Sequence, residues 1–515
     1  MEYSEYQLKI FDFIKNKNGN AIIEAVAGSG KTTTVVTSLE MIPPTKRAVF
    51  LAFNVHIAEH LKTKVPKGVD VMTLHSLGRR ILVQNKFITF DNKADSLKVF
   101  RIVDAVLQSK NTSQGIPFQS QFIRKEDKAN LRKFKSSIVK IVEKLKSSMI
   151  LPNSPSFSKE VMHLIDFYEI ELAGFLNKNP TSMQFSEEEL ISIVKNTYLQ
   201  SSLQKSIINF DDMIFMPSLY NLKPSKLYDY VFVDEVQDLN KCQSHLLRNI
   251  LSTTGRIIVV GDTNQAIMGF AGANTESMKY LSEMFSAQSL ELSICYRCPK
   301  SHISLAQTIV PRIKARENAP EGIIEDINTS QAVHLAQDKD LIICRNNSPL
   351  ISMCLKFISS GRKANIRGTD LATTLISLIE DFNVRNIEDL RESLIIWKKK
   401  EVENCKDFNI NPQPIIDRYE CIMCLINESG ASTSIELIQT IKHIFSDENG
   451  SGVTLSSIHK AKGLEANSVF ILQPHLMPSI YATKDWEMEQ EKNLMYVAYT
   501  RSKNALYFIH SEKIQ

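Results

Sequence analysis

The sequence predicts an α/β fold made of two parallel-sheet domains, each interrupted by a mostly helical insertion. Two observations carry this expectation. Stretches 20–75, 229–295, 338–370 and 452–510 contain short apolar runs, NAIIEAV, AVFLAF, YVFVDE, IIVVGD, LIICR, SVFIL and ALYFI among them, each followed by a helix-like segment. Short apolar runs that alternate with helices indicate strands covered on both faces. Between them, 79–207 and 371–450 have periodic apolar positions and few strand signals. The expected division is 1–78 with 208–284 as the first sheet domain and 79–207 as its insertion. Residues 285–370 with 451–515 form the second, with 371–450 as a shorter insertion.

A chain of 515 residues exceeds one ordinary core. With 43% hydrophobic and 23% charged residues it reads as globular, neither disordered nor fibrous. No apolar run approaches the roughly 20 residues that span a bilayer. The start, MEYSEYQLKI, lacks the basic and apolar regions of a signal peptide, so a cytoplasmic location without membrane contact is expected. Eight cysteines in this length are not a disulfide framework. Two CxxC pairs occur, Cys295/Cys298 and Cys421/Cys424, but neither has a nearby Cys or His pair to complete a four-ligand zinc site. CIMCLI also reads as an apolar helical run, where buried thiols are common.

The net charge of +4 does not by itself indicate nucleic acid. Between Arg124 and Lys146, nine cations face few acids. A solvated helix face and a phosphate-tracking surface are both open readings. The run WKKKEVENCK at 397–406 is read first as a solvated helix, with a DNA-facing patch as the alternative.

The strongest local signal is AVAGSGKTTT at 25–34, between a strand-like run and a helix-like one. A turn of small residues there lets backbone N–H groups of Ala27, Gly28, Ser29 and Gly30 wrap a polyphosphate at a helix N-terminus. Lys31 reaches the β- and γ-phosphates, the Thr32 hydroxyl ligates magnesium, and Thr33 follows in the first helical turn. The strict pattern GxxxxGK[ST] is not met, because Ala25 stands at the first Gly position. The second signal is YVFVDEVQDLN at 230–240. A buried strand ending in two carboxylates sets them at the sheet's C-terminal edge, where ligands bind in open α/β sheets. Asp234 is placed on the metal and Glu235 on the attacking water. Two acids at a strand end can be a mere surface turn; the phosphate loop upstream disfavours that. These signals alone indicate nucleotide binding and no more.

Further blocks narrow the reading. YSEYQLKIF precedes the phosphate loop, and LAFNVHIAEHL (51–61) and TLHSL (73–77) follow it. GDTNQAIMGFAGA (261–273), LSICYRCP (292–299), TLSSIHKAKGLEANSVFIL (454–472) and EKNLMYVAYTRSKNALYF (491–508) come next. In this order the blocks resemble the UvrD/Rep/PcrA-type DNA helicases of superfamily 1, covering both sheet domains and leaving the insertions matched by position only. The resemblance implies two RecA-like motor domains, ATP and Mg2+ as nucleotide and metal, and single-stranded DNA and single/double-strand junctions as partners. It implies Gln7 on the adenine edge, Tyr296 stacked on adenine and Glu465 near the ribose. It implies Gln265 as γ-phosphate sensor, Arg297 at the γ-phosphate and Arg501 as an arginine finger. Phe53, Thr73, His75, Phe270, His459 and Lys462 are implied on the DNA, with Gly463 on the same face; for Phe53 and His75 taken singly, core packing is the better reading. Met268 and Ala271 depart from the usual tyrosine and arginine, which weakens grip on one base.

What the resemblance implies is an ATP-dependent 3′-to-5′ translocase and helicase of repair, replication, recombination or defence. It steps by closing and reopening the two motor domains around ATP. Three alternatives stand beside it: an ATP-gated DNA-binding switch, a motor subunit working with a separate nuclease or repair factor, and an RNA substrate. An internal nuclease is not expected, because the sixth block ends shortly before Gln515. The short second insertion leaves unwinding by a lone monomer open.

Overall fold

The computed structural model describes residues 3–109, 125–168, 170, 172, 186–267, 277–407, 411–445 and 452–510. The chain divides into two compact units. One comprises Met1–Glu24, Lys31–Gly261 and Met268–Glu291; the other comprises Ala25–Gly30, Asp262–Ile267 and Leu292–Gln515. Phe270, Met268 and Ala271 lie outside the described residues, as does Arg124.

The first sheet has six strands: β1 (Ala21–Ala25), β2 (Ala48–Ala52), β3 (Asp70–Thr73), β4 (Tyr228–Val233), β5 (Leu251–Gly261) and β6 (Gln288–Leu292). Their order is β3-β2-β4-β5-β1-β6. The pairs β2/β3, β2/β4, β4/β5 and β1/β5 are all parallel. β2 is buried at every position and β1 at all but one, which explains why they read as near-continuous apolar runs. Register sets Val233 beside Val259, and Ile22 beside Val259 in turn. The carboxyl ends of β1, β4 and β5 therefore open on one edge, each followed by a candidate segment.

Residues 74–219 supply helices Leu74–Gln84, Lys98–Gln108, Lys125–Ser147, Phe157–Phe167, Glu187–Leu203 and Asp212–Leu219. Their apolar faces share one continuous core with the sheet, from Ile22 and Val49 to Ile138 and Val194. Gly78 is required by close approach: a Cβ there would fall 1.8 Å from the Met213 carbonyl oxygen, so helices 74–84 and 212–219 meet backbone to backbone. A buried ionic triad ties the helices together. Asp212 accepts from Lys98 at 2.7 Å and from Lys146 at 2.9 Å, all three side chains being removed from solvent. This corrects one reading of the basic segment 124–146. Lys146 lies inside the core, Lys135 is ion-paired with Asp104, and Lys144 lies 4.3 Å from the Tyr168 ring centre, so the segment is not one continuous cationic surface. In the run 397–406, Lys398 lies over the Tyr419 ring at 4.2 Å, while Lys399 and Lys400 are exposed.

In the other unit a short pair, β7 (Ile294–Cys295) with β8 (Lys314–Ala315), precedes a second parallel six-stranded sheet. Its strands are β9 (Ile323–Asn328), β10 (Leu341–Cys344), β11 (Ala364–Ile366), β12 (Val453–Ser457), β13 (Ala466–Leu472) and β14 (Ser502–His510). They run in the order β11-β12-β10-β13-β14-β9. β8 and β9 fall in 299–337, where no strand was expected. β9 is an edge strand exposed at all positions but Ile327, so it carries no apolar run to betray it. Helices Thr369–Phe382, Ile387–Asp407, Gln413–Glu428 and Ser434–Ile444 share the core of this sheet. Among the described residues no helix is long and apolar enough to cross a membrane.

Candidate nucleotide and nucleic-acid sites

The turn after β1 has Gly28 at φ 65° and Gly30 at φ 77°, both in the left-handed region that favours glycine. Lys31 and Thr32 then open the helix Lys31–Glu40. In the unit that holds Lys31–Gly261, the Lys31 ammonium lies 3.0 Å from Glu235 Oε1. Glu235 turns the chain out of β4 in a left-handed conformation (φ 53°, ψ 42°), and Gln237 donates to its other oxygen. Asp234 Oδ1 accepts the Glu235 N–H at 2.9 Å, and the Thr32 hydroxyl bonds the same carboxylate. Burial first, and then the Glu235 charge, push the Asp234 carboxyl above its ordinary range, against Lys31, Thr32 and that N–H. Two adjacent carboxylates and a hydroxyl form a hard-oxygen donor set, the chemistry that suits a magnesium ion. The buried Ser29 hydroxyl has no hydrogen-bond partner, which fits a loop whose polar groups await a phosphate.

Gln7 is nearly buried and already engaged. Its amide oxygen closes a capping box with the Ser4 N–H at 3.0 Å, and its amide nitrogen donates to Thr34 Oγ1 at 3.1 Å.

In the other unit a chain of hydrogen bonds joins segments distant in sequence. The Ala27 N–H donates to the Tyr496 hydroxyl at 2.8 Å, and that hydroxyl donates to Asp262 Oδ2 at 3.4 Å. Burial, aided by the Asp262 charge, holds the Tyr496 hydroxyl far above its usual range, so it stays protonated. Asp262 Oδ2 also accepts from the Gln265 amide at 2.7 Å, and Gln265 Oε1 accepts from Arg501 at 3.4 Å. Arg501 is 1% exposed and is further held by the carbonyls of Val497 (2.9 Å) and Leu464 (3.3 Å). Lys462 donates to the Gln265 carbonyl at 2.8 Å, and Asn493 to that of Ala266 at 3.1 Å.

Arg297 and Glu465 are brought together at 2.7 Å, and Arg297 also donates to the Thr500 carbonyl at 3.0 Å. Burial alone would raise the Glu465 carboxyl; bonds and charges from Lys503 and Arg297 outweigh it and hold it low. Tyr296 donates its N–H to the Gly28 carbonyl at 2.8 Å.

The candidate DNA residues divide by environment. Phe53, at the end of β2, is 48% exposed. Thr73 is buried, and its hydroxyl caps the helix Leu74–Gln84 through the Ser76 N–H at 3.2 Å. His75 is stacked on Phe210 with ring centres 3.9 Å apart, and Phe210 itself is 58% exposed. Burial lowers the His75 pKa to about 4, so the ring is neutral at physiological pH. His459 is likewise held neutral, its pKa lowered to about 3 by desolvation and by the Arg345 charge.

Several residues of these clusters had no mark in the sequence reading. Tyr496, Asp262, Asn493 and Lys503 lay inside quoted blocks without a role. Phe210 lay outside any block, and its signal was an aromatic just before two acids, INFDD, at a helix start.

Comparison with known proteins places both halves of the chain in described domain families. The UvrD/REP helicase N-terminal domain matches residues 9–286, and the UvrD-like helicase C-terminal domain matches residues 383–513. An ATP-dependent DNA helicase PcrA of Staphylococcus aureus is 20% identical, across 97% of this chain and 82% of its own length. PcrA of Staphylococcus epidermidis has the same identity and coverage. A probable DNA helicase II homolog of Mycoplasma capricolum is 24% identical across 58% of this chain and 39% of its own. With both domain families matched in sequence order, the first over more than half of its length, this chain belongs to the UvrD/REP helicase family.

Proposed function

We propose that this chain is an ATP-driven 3′-to-5′ translocase on single-stranded DNA that separates duplex at single/double-strand junctions. One observation carries the reading: Gln265 touches Arg501 and Asp262 through its side chain and Lys462 through its carbonyl. In this reading Gln265 and Arg501 sense the nucleotide and Lys462 follows the strand, so their contacts would couple hydrolysis to movement.

In this proposal the loop 27–33 holds the triphosphate and Lys31 leaves Glu235 for the β- and γ-phosphates. Glu235, released, orients the attacking water and takes its proton. Thr32 and Asp234 would hold Mg2+, which neutralises phosphate charge when bound. Arg297 and Arg501 stabilise charge on the γ-phosphate, their planar forks suiting two phosphate oxygens. Tyr296 and Gln7 select adenine and Glu465 meets the ribose, Gln7 exchanging its present partners for the base. Phe53, Phe210 and Phe270 supply stacking surfaces for bases, with His75, Thr73, His459 and Lys462 along the strand. The motor domains are assigned to 1–78 with 208–284 and to 285–370 with 451–515, the insertions 79–207 and 371–450 modulating duplex and partner contact.

The test is ATP hydrolysis with and without single-stranded DNA, at low and moderate salt, alongside single-stranded RNA. Strong stimulation by DNA that fades with salt is expected, and Lys31→Ala should abolish turnover. Turnover indifferent to DNA would replace this reading with an ATP-gated switch or a motor subunit driven by a protein partner, such as a nuclease.

A further inference from the structure

Cys295 and Cys298 are free, almost fully buried, and separated by Tyr296 and Arg297. The Cys295 sulfur accepts the Cys298 N–H at 3.4 Å, and the Cys298 thiol hydrogen-bonds to the same sulfur. The turn that leaves β7 has thus brought the two thiols within hydrogen-bond reach of each other, the proximity from which a disulfide can close. Among the described residues no group of three or more His, Cys, Asp or Glu could hold a metal, so the pair has no third ligand.

Cys295 also differs chemically from the other thiols, among them its neighbour Cys298, whose pKa its hydrogen bond to Cys295 and then burial raise. Burial pushes Cys242, Cys344, Cys354 and Cys424 up to about 12. Cys295 is moved the other way. The Cys298 thiol and the N–H groups of Cys298 and Arg297, with the Arg297 charge, hold it below the usual thiol range against the effect of burial. Its thiolate is the nucleophile of the pair.

We propose that Cys295 and Cys298 are a covalent modification site, which a peroxide converts to an intramolecular disulfide that disables the nucleotide contacts of Tyr296 and Arg297. The Cys295 thiolate attacks one peroxide oxygen; the O–O bond breaks, leaving a sulfenic acid and a hydroxide that takes a proton to become water. The Cys298 sulfur then attacks the Cys295 sulfur; the S–O bond breaks and the oxygen leaves as water with the Cys298 proton. Two thiols are oxidised to one disulfide, and one peroxide is reduced to two waters.

The consequence follows from packing. A Cβ placed on Gly28 would fall 2.9 Å from the Cys295 sulfur and 2.7 Å from Arg297 Cβ, so no slack separates this segment from the phosphate-loop glycine. Bridging closes a four-residue ring around Tyr296 and Arg297, and draws the Cys295 sulfur towards Cys298. The Tyr296 N–H to Gly28 bond and the Arg297 link to Glu465 must shift with it. This second half rests on the nucleotide roles proposed above; formation of the disulfide does not.

The full chain is treated with hydrogen peroxide, blocked with an alkylating agent, and digested without reduction. The expected peptide joins Cys295 to Cys298 and has lost two hydrogens. ATPase turnover should fall by roughly tenfold or more, as displaced catalytic groups do, and return on adding dithiothreitol. Cys298→Ser and Cys295→Ser, made separately, should each keep the same turnover before and after peroxide. Alkylation of both cysteines after peroxide would overturn the site. A linked peptide with undiminished turnover, or equal losses in both serine variants, would overturn its effect on nucleotide chemistry. If the reduced chain hydrolyses no ATP, the nucleotide reading and the effect fall together, and the peptide mass alone decides the modification.

Discussion

The Tyr496 hydroxyl accepts the Ala27 N–H at 2.8 Å while facing Asp262 Oδ2 at 3.4 Å, so one phenol joins the turn before Lys31 to the loop that carries Gln265. Its ring packs among Val26, Ala27, Cys295 and Ile303. Tyr496→Phe keeps that packing and removes the two hydrogen bonds. The expected result is a kcat for ATP hydrolysis lowered roughly ten- to hundredfold with little change in KM, and a stability loss of about 1 kcal/mol. Loss of stability with an unchanged kcat would reduce the hydroxyl to a structural bond.

Phe210 presents an exposed ring backed by His75. Phe210→Ala should weaken single-stranded DNA binding by about 1–3 kcal/mol, the worth of one stacked base, and leave DNA-free turnover near wild type. Phe210→Tyr should restore binding. Fluorescence titration with a labelled oligonucleotide reads both, and equal loss of basal and DNA-stimulated turnover would remove Phe210 from the strand path.

Asp212 bridges two buried lysine side chains, Lys98 and Lys146, one on each carboxylate oxygen. Asp212→Ala leaves both in a core where Ser201, the Gln204 carbonyl and, for Lys146, the Phe215 ring are neighbours that cannot replace a contacting carboxylate. Breaking a buried pair costs about 3–5 kcal/mol, measurable as a lowered urea midpoint. The exposed hydrogen bond between His510 and Asp326 is the control, and Asp326→Ala should cost less than about 0.5 kcal/mol.

Glu143 gives a pH dependence of stated sign. Burial, then the Asp211 charge, raise its pKa from 4.5 to about 7, against Lys146, Lys144 and Lys140. The folded state therefore holds this proton more tightly than the unfolded chain does. The stability that Glu143 contributes is fully present below pH 4.5 and is lost as pH rises through about 7. Glu143→Gln should flatten this slope and gain about 1 kcal/mol relative to wild type at pH 8, read from urea midpoints at pH 5 and pH 8. Asp211, also raised by burial, leaves a residual slope in the variant.

What the sequence made legible was whatever is local. β1, β2 and β4 are buried on both faces and announce themselves as apolar runs; the GSGKT turn and the Asp234–Glu235 pair sit at strand ends where their neighbours in sequence define them. β9 was silent because its side chains face solvent. Lys146 read as one surface cation among nine, since its carboxylate partner lies 66 residues away. Tyr496 had no visible role because its partners, Ala27 and Asp262, lie 469 and 234 residues away. The Gln7 capping box, by contrast, is local, written in the Ser4-to-Gln7 spacing.

The strand order of the first sheet has a consequence for how the chain comes into being. β1, which leads into the phosphate loop, ends at Ala25, yet its neighbours β5 and β6 begin at Leu251 and Gln288. A ribosome adding about 5–20 residues per second needs on the order of ten seconds or more to deliver them. For that interval the nascent β1 has both backbone edges unpaired and its apolar faces uncovered by its own sheet. The phosphate-binding turn is therefore encoded early and assembled late. A nascent chain arrested before Leu251 possesses the GSGKT residues without the neighbouring strands that hold β1 in its sheet.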